Sequence, residues 1–220
     1  MKSIIVLSGG MDSVTALHYA KKKLGLDIVQ TVSFDYGSKH NDQEYKYAKI
    51  QSDLLGVENI RVDLKEIGKY LVSDLLKSGG EIPEGHYADP SMKKTVVPFR
   101  NGIMLSIATG IAESCGAEAI VLGNHFGDHA IYPDCRTDFI NPMKEAIENG
   151  TYANIKLLAP FSSITKTDIA KIGHDLNIDY SLTYSCYKGQ EKHCGKCGTC
   201  FERKEAFQDS GLNDPTEYEA

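Results

Sequence analysis

The residues with the most chemical promise stand near the two ends of the chain. Close to the start, Ile4-Ile5-Val6-Leu7 runs into Ser8-Gly9-Gly10, followed by Met11-Asp12-Ser13-Val14-Thr15. Glycines at 9 and 10 let backbone N–H groups turn toward a ligand with no Cβ in the way. A helix opening there adds unpaired N–H groups and the positive end of its dipole, a combination that suits an anion. The Ser8 and Ser13 hydroxyls add further polar contacts. Asp12 is the informative residue, because a carboxylate beside a phosphate repels it unless a cation such as Mg2+ lies between them. The alternative is a tight strand–helix turn in which Asp12 is a helix cap. The segment has neither a Walker lysine nor a G-x-G-x-x-G pattern.

Toward the other end, Cys186, Cys194, Cys197 and Cys200 fall within fifteen residues, with Gly195 and Gly198 between them. Four thiolates at this spacing suit a closed tetrahedral zinc ion. An iron–sulfur cluster uses the same ligands, and His193 is a spare donor. A closed four-thiolate site leaves no position open to a substrate, so the metal is assigned to folding. Cys115 reads as core. Cys135, in Tyr132-Pro133-Asp134-Cys135-Arg136, is either a nucleophile or an inert small residue. Arg100 opens a helix after Pro98, where a guanidinium either clamps phosphate or covers a surface. Lys166 stands in the first turn of another helix, where a cation opposes the dipole; that local cost hints at a role such as meeting phosphate. His125, Asp128, Asp134 and Arg136 follow a strand, a placement suited to substrate contacts.

The elements that must position these groups alternate. Strand-like runs cover 3–8, 27–34, 59–64, 118–124 and 155–160; helical patterns cover 12–23, 42–55, 101–116, 137–149 and 165–176, the last opened by Thr165 as cap. A long loop spans 78–98, and a short helix near 201–208 follows the cysteines. Strands separated by helices predict an α/β fold, a parallel sheet covered by helices on both faces. Ligands in such sheets bind beyond the carboxyl ends of the strands. Ser8-Gly9-Gly10, Phe34-Asp35-Tyr36-Gly37 and Gly123-Asn124-His125 all follow strands and are expected to share one crevice. The division expected is a nucleotide-binding body over 1–180 and a metal-binding segment over 181–220 packed on it.

Composition sets the frame. The chain has 220 residues, 41% hydrophobic and 25% charged, with a net charge of −6 and a pI near 5.6. These are ordinary globular values, and the acidic balance argues against a large nucleic-acid surface. No apolar run is long enough for a membrane span, and the start is too quickly interrupted by glycine for a secretory signal. A cytoplasmic protein with reduced cysteines is the expectation.

The string Ser8-Gly9-Gly10-x-Asp12-Ser13 resembles the S-G-G-x-D-S loop of the PP-loop ATP pyrophosphatases, which cleave ATP between the α and β phosphates. Taken in order, "SGGMDSVT", "FDYGSKH", "TVVPFRN", "YPDCR", "SCYKG" with "CGKCGTC", "ERKEAF" and "DPTEY" resemble one branch of that family along essentially the whole chain, the 7-cyano-7-deazaguanine (preQ0) synthases. The resemblance implies a Rossmann-like, adenine nucleotide alpha-hydrolase-like sheet with a small C-terminal zinc knuckle. It implies ATP on Leu7, Ser8, Gly9, Gly10, Met11, Asp12, Ser13, Val14, Thr15, Phe34, Tyr36, Arg100 and Gly123, with Asp12, Lys166 and Arg100 in catalysis. It assigns Asp134, Arg136, Tyr187 and Arg203 to the deazaguanine, and Cys186, Cys194, Cys197 and Cys200 to zinc. The implied reaction turns 7-carboxy-7-deazaguanine and ammonia into the nitrile with ATP and Mg2+, through an adenylate and an amide. It also implies a homodimer, while charge and hydropathy lead to the expectation of no nucleic-acid or membrane partner. An amide-forming deazapurine ligase and a PP-loop tRNA-modifying enzyme are the competing readings. Two departures from the family pattern stand out: Ala130-Ile131 replace Ser-Gly before Tyr132, and Phe99 is larger than expected there. Both are expected to alter the substrate pocket.

Overall fold

The computed structural model describes residues 1–127 and 131–219. Five strands form one all-parallel sheet: β1 (Lys2–Val6), β2 (Asp27–Asp35), β3 (Asn59–Asp63), β4 (Ala119–Val121) and β5 (Lys156–Leu158). Their order across the sheet is β3-β2-β1-β4-β5. The helices are α1 (Met11–Lys22), α2 (Asn41–Leu54), a short α3 (Lys65–Gly68), α4 (Arg100–Ser114), α5 (Thr137–Asn149), α6 (Lys166–Asp175) and α7 (Gly198–Ser210).

Alternation along the strands explains the layering. Ile4 and Ile120 point to one face, into a cluster with Leu105, Ala108 and Ala112 of α4. Ile5 and Val121 point to the other, against Val14 and Leu17 of α1 and Ile169 of α6. Burial on both faces is why β1 and β4 carry consecutive apolar residues. Strand order reverses at β1, whose neighbours are β2 and β4. That switch point opens a crevice beyond their carboxyl ends.

The elements fall within a few residues of the sequence expectations, with informative differences. Helix α7 begins at Gly198, earlier than the expected 201, because the N–H groups of Cys200 and Phe201 reach the Cys197 carbonyl at 3.0 and 3.1 Å. The thiol-bearing turn is therefore the helix's first turn. The loop over 78–98 contains a 3-10 turn, Pro90–Thr95, and docks on the cysteine segment through Gly85 N–H to Lys196 O at 3.0 Å. The four thiols share the apolar cluster of Ile4 and Val32. Among the described residues no helix is long and apolar enough to cross a membrane.

Candidate active site

A cavity of about 210 Å³ occupies the crevice at the switch point. Its floor is the turn after β1. Ser13 Oγ folds that turn by accepting the Ser8 N–H at 3.2 Å and donating to Gly10 O at 3.1 Å. The two glycines do different work. Gly9 has φ +84°, and a Cβ there would stand 2.4 Å from Glu44 O and 2.7 Å from Ala48 N. Its bareness lets α2 pack against the turn. Gly10 has ordinary extended backbone, faces the cavity and precedes α1 with no side-chain cap. The first N–H groups of α1 are left without the side-chain acceptor that usually satisfies them.

Opposite the turn, the Lys166 ammonium sits between two carboxylates, 3.0 Å from Asp12 Oδ2 and 2.7 Å from Glu202 Oε2. These partners offset the unfavourable helix dipole at the start of α6, where Thr165 and Asp168 form a capping box. His125 is buried beside them, its Nε2 at 3.9 Å from Asp12 Oδ2 and 3.6 Å from Glu202 Oε1. Its Nδ1 accepts the Gly127 N–H at 3.0 Å, which places the proton of the neutral ring on Nε2, toward the carboxylates. Asp12 Oδ1 is buried and has no hydrogen-bond partner among the described residues. A buried carboxylate oxygen left unpaired is costly, and a cation would satisfy it.

Another wall is aromatic and basic. Arg100 Nη1 donates to Tyr36 Oη at 3.2 Å, and the Tyr132 and Tyr187 hydroxyls pair at 2.8 Å. Burial disfavours the charge on Arg100, but Tyr36, Tyr187, Tyr132 and Asp134 outweigh it and hold the guanidinium well above its usual range. Burial likewise raises the Tyr36 phenol, with Arg100 opposing. Glu44, from α2, lines the same cavity; burial pushes its acid up to about 7 against the pull of Arg100. Burial pushes neighbouring His40 down to about 3, so its ring is neutral near pH 7.

Of the residues assigned to ATP, Leu7, Ser8, Gly10, Asp12, Ser13, Phe34, Tyr36, Arg100 and Gly123 line the cavity, and Lys166 and Tyr187 join them. Gly9, Met11, Val14 and Thr15 do not. Met11 packs with Ala170, Tyr180 and Phe207, and Val14 with Ile5 and Leu17. Thr15 Oγ1 bonds Met11 O at 2.6 Å and Tyr180 Oη at 2.7 Å. They hold α1 in place behind the turn.

Three residues assigned to the deazaguanine are also off the cavity. Asp134 accepts the Asn101 N–H at 2.7 Å, capping α4 and thereby fixing Arg100. Arg203 is fully buried and donates to Asp214 Oδ1, Thr183 Oγ1, Ser185 Oγ and Tyr180 O at 3.3, 2.8, 3.2 and 2.9 Å. It ties the C-terminal segment together. Arg136 is exposed at the start of α5. Phe99 turns away from the cavity: it has φ +53°, is 58% exposed and packs edge-on to Phe139 at 5.5 Å. Ile131 does line the cavity; Asp128 and Ala130 lie outside the described residues. Cys135 lines it too and accepts Asn101 Nδ2 at 3.1 Å. Nothing in the sequence alone marks Glu44 or Glu202 as a site residue, beyond the place of Glu202 in "ERKEAF", two residues after the last thiol.

Cys186, Cys194, Cys197 and Cys200 are buried, with their sulfurs within 4.8 Å of one another, and can hold a metal ion. His193 is not among them: its Nε2 accepts the Ser185 N–H at 3.0 Å, and its ring packs on Tyr184 and Tyr218.

Residues 2–211 match the family model described as "Queuosine biosynthesis protein QueC". The chain belongs to that family. It is 58% identical over 217 residues to the 7-cyano-7-deazaguanine synthase of Porphyromonas gingivalis, covering 99% of this chain and 97% of that protein. The synthase of Caldicellulosiruptor saccharolyticus is 50% identical over 219 residues, covering 100% and 96%. That of Brucella ovis is 44% identical over 223 residues, covering 100% and 94%. Among solved structures, the U34-tRNA thiolase NcsA of Methanococcus maripaludis with its [4Fe-4S] cluster shares the fold, with a TM-score of 0.51 at 13% identity over 96% of this chain and 67% of that one. NMN synthetase from Francisella tularensis does so with a TM-score of 0.50 at 13% identity, over 96% and 78%.

Proposed function

We propose that this member of the QueC family converts 7-carboxy-7-deazaguanine and ammonia to 7-cyano-7-deazaguanine, cleaving ATP between its α and β phosphates. The observation that carries the mechanism is the turn after β1, with open helix N–H groups on one side and Asp12 and Lys166 on the other. A carboxylate is a poor acyl donor because its leaving group would be oxide. Its attack on the α-phosphate gives an acyl adenylate, whose leaving group is AMP. Ammonia then gives the amide, and a second adenylation on the amide oxygen allows loss of AMP to the nitrile.

Each activation expels pyrophosphate, and the Ser8–Ser13 turn is suited to hold it through backbone N–H groups and the Ser8 hydroxyl. Lys166 and Arg100 supply fixed positive charge where negative charge gathers on the α-phosphate. Mg2+ fits Asp12, whose buried Oδ1 has no hydrogen-bond partner among the described residues; bound there, it would neutralise charge between carboxylate and phosphates. The tyrosines 36, 132 and 187 offer flat faces and hydroxyls to a heterocycle.

Zinc fits the four thiols. Sulfurs at about 2.3 Å around one tetrahedral ion stand about 3.8 Å apart, and here Cys194–Cys200 and Cys197–Cys200 are 4.0 and 3.5 Å apart. An iron–sulfur cubane places each cysteine on a different iron and needs a wider set. Incubation with ATP, Mg2+, ammonium and the carboxylate, followed by mass identification, tests the reading. The nitrile with AMP and pyrophosphate is expected; ADP with inorganic phosphate would refute it.

A further inference from the structure

Among the described residues, three with carboxyl side chains line the cavity: Asp12, Glu44 and Glu202. Asp12 and Glu202 share the Lys166 ammonium. Among the described residues Glu44 has no such ion pair: its close basic neighbour is His40 Nε2 at 3.6 Å, a ring held neutral by burial, and Arg100 acts on it only through space. Yet Glu44 is beside the phosphate turn, because its own carbonyl is the atom that Gly9 must leave room for. The groups facing it are Arg100 from α4, acting through space, His40 from the turn before α2, and Tyr36 from the end of β2. Tyr184 and Tyr187, from the C-terminal segment, line the same cavity.

An unneutralised carboxyl next to a phosphate site is unfavourable unless the reaction brings it a cation. The proposed reaction does bring one. Near neutral pH its nitrogen donor is almost wholly ammonium, which has no lone pair and cannot attack an acyl group. We infer that Glu44 receives ammonium at this wall and takes its proton, an assignment that rests on the reaction proposed above. One N–H bond of ammonium breaks as the Glu44 O–H bond forms. The freed lone pair bonds to the acyl carbon, AMP leaves with the C–O bonding pair, and the surplus N–H proton passes to water. A carboxylate with aromatic walls suits a small cation. Nearby Arg100 favours the neutral form of the nitrogen once the proton has moved. An acid that burial lifts to about 7 exists in both forms near neutrality and can accept and release a proton in turn.

Glu44→Gln and Glu44→Asp, compared with wild type using ammonium chloride and hydroxylamine, test this. Hydroxylamine is mostly neutral near pH 7 and needs no prior deprotonation. With Glu44→Gln, kcat/KM for ammonium is expected to fall about 10²-fold and hydroxamate formation far less. The ammonium deficit should close as pH rises and free ammonia accumulates, and Glu44→Asp should recover part of it. Equal losses with both nucleophiles would show a merely structural role and overturn the assignment, as would an unchanged ammonium rate. A wild-type protein inert toward both nucleophiles would overturn the proposed reaction itself, and this assignment with it.

Discussion

The two glycines of the first turn should separate stability from ligand binding. In Gly9→Ala the new methyl forces an L-residue to hold φ +84° and drives a Cβ to 2.4 Å from Glu44 O and 2.7 Å from Ala48 N. The backbone term costs about 1–2 kcal/mol. Overpacking against backbone atoms, which cannot rotate aside, adds about 1–3 kcal/mol. A loss near 3 kcal/mol corresponds to about 6–12 °C in Tm for a chain of this length. Gly10→Ala meets neither penalty: its φ is −73°, and the nearest atoms to a new Cβ are at 3.4 and 3.5 Å. Its Tm should move by less than about 2 °C. Its methyl, however, faces the cavity, and a crowded ligand should lose about 1–3 kcal/mol, roughly tenfold or more in KM for ATP. Thermal melts without nucleotide, with pyrophosphate release against ATP concentration, read both effects. Equal melting losses for the two variants, or a Gly9→Ala protein as stable as wild type, would refute the division of roles.

Lys166→Met leaves Asp12 and Glu202 facing each other without their cation. It should cost about 3–5 kcal/mol in urea unfolding and abolish pyrophosphate release; adding Glu202→Gln should restore part of the stability and none of the turnover. Arg203→Met removes four hydrogen bonds and the cation beside Asp214, so Tm should fall by several degrees while the folded fraction keeps its KM for the deazaguanine. Burial raises Glu44 from 4.5 to about 7, so its contribution to stability is complete below about 4.5 and is lost as pH rises through 7. The stability gap between Glu44→Gln and wild type should therefore widen by about 3 kcal/mol across that window, as read by urea titrations at stepped pH. Cys197→Ser should lose bound metal by elemental analysis and melt earlier.

Much of the fold was legible because its signals are local. Short apolar runs bounded by polar or turn residues mark the strands, and Thr165 marks the start of α6, where Asp168 completes its capping box. The glycine turn after β1 and the thiol set are legible because each is compressed into a short string. What stayed hidden depends on contacts between distant segments. Lys166 and Glu202 are thirty-six positions apart, and nothing near either announces the pair. Asp134 and Arg203 carry polar groups that look suited to a ligand, yet Asp134 Oδ2 holds the start of α4 and the Arg203 guanidinium ties together the C-terminal segment. Gly9 shares its string with a cavity-lining glycine, and only the packed structure shows that its missing Cβ makes room for α2.

The most direct test of the central claim follows an oxygen atom. With 7-carboxy-7-deazaguanine labelled with 18O in its carboxyl group, activation by adenylation must carry label into AMP as ammonia displaces it. Mass spectrometry should find 18O in AMP and none in pyrophosphate. Label in inorganic phosphate, or AMP free of label, would contradict the account.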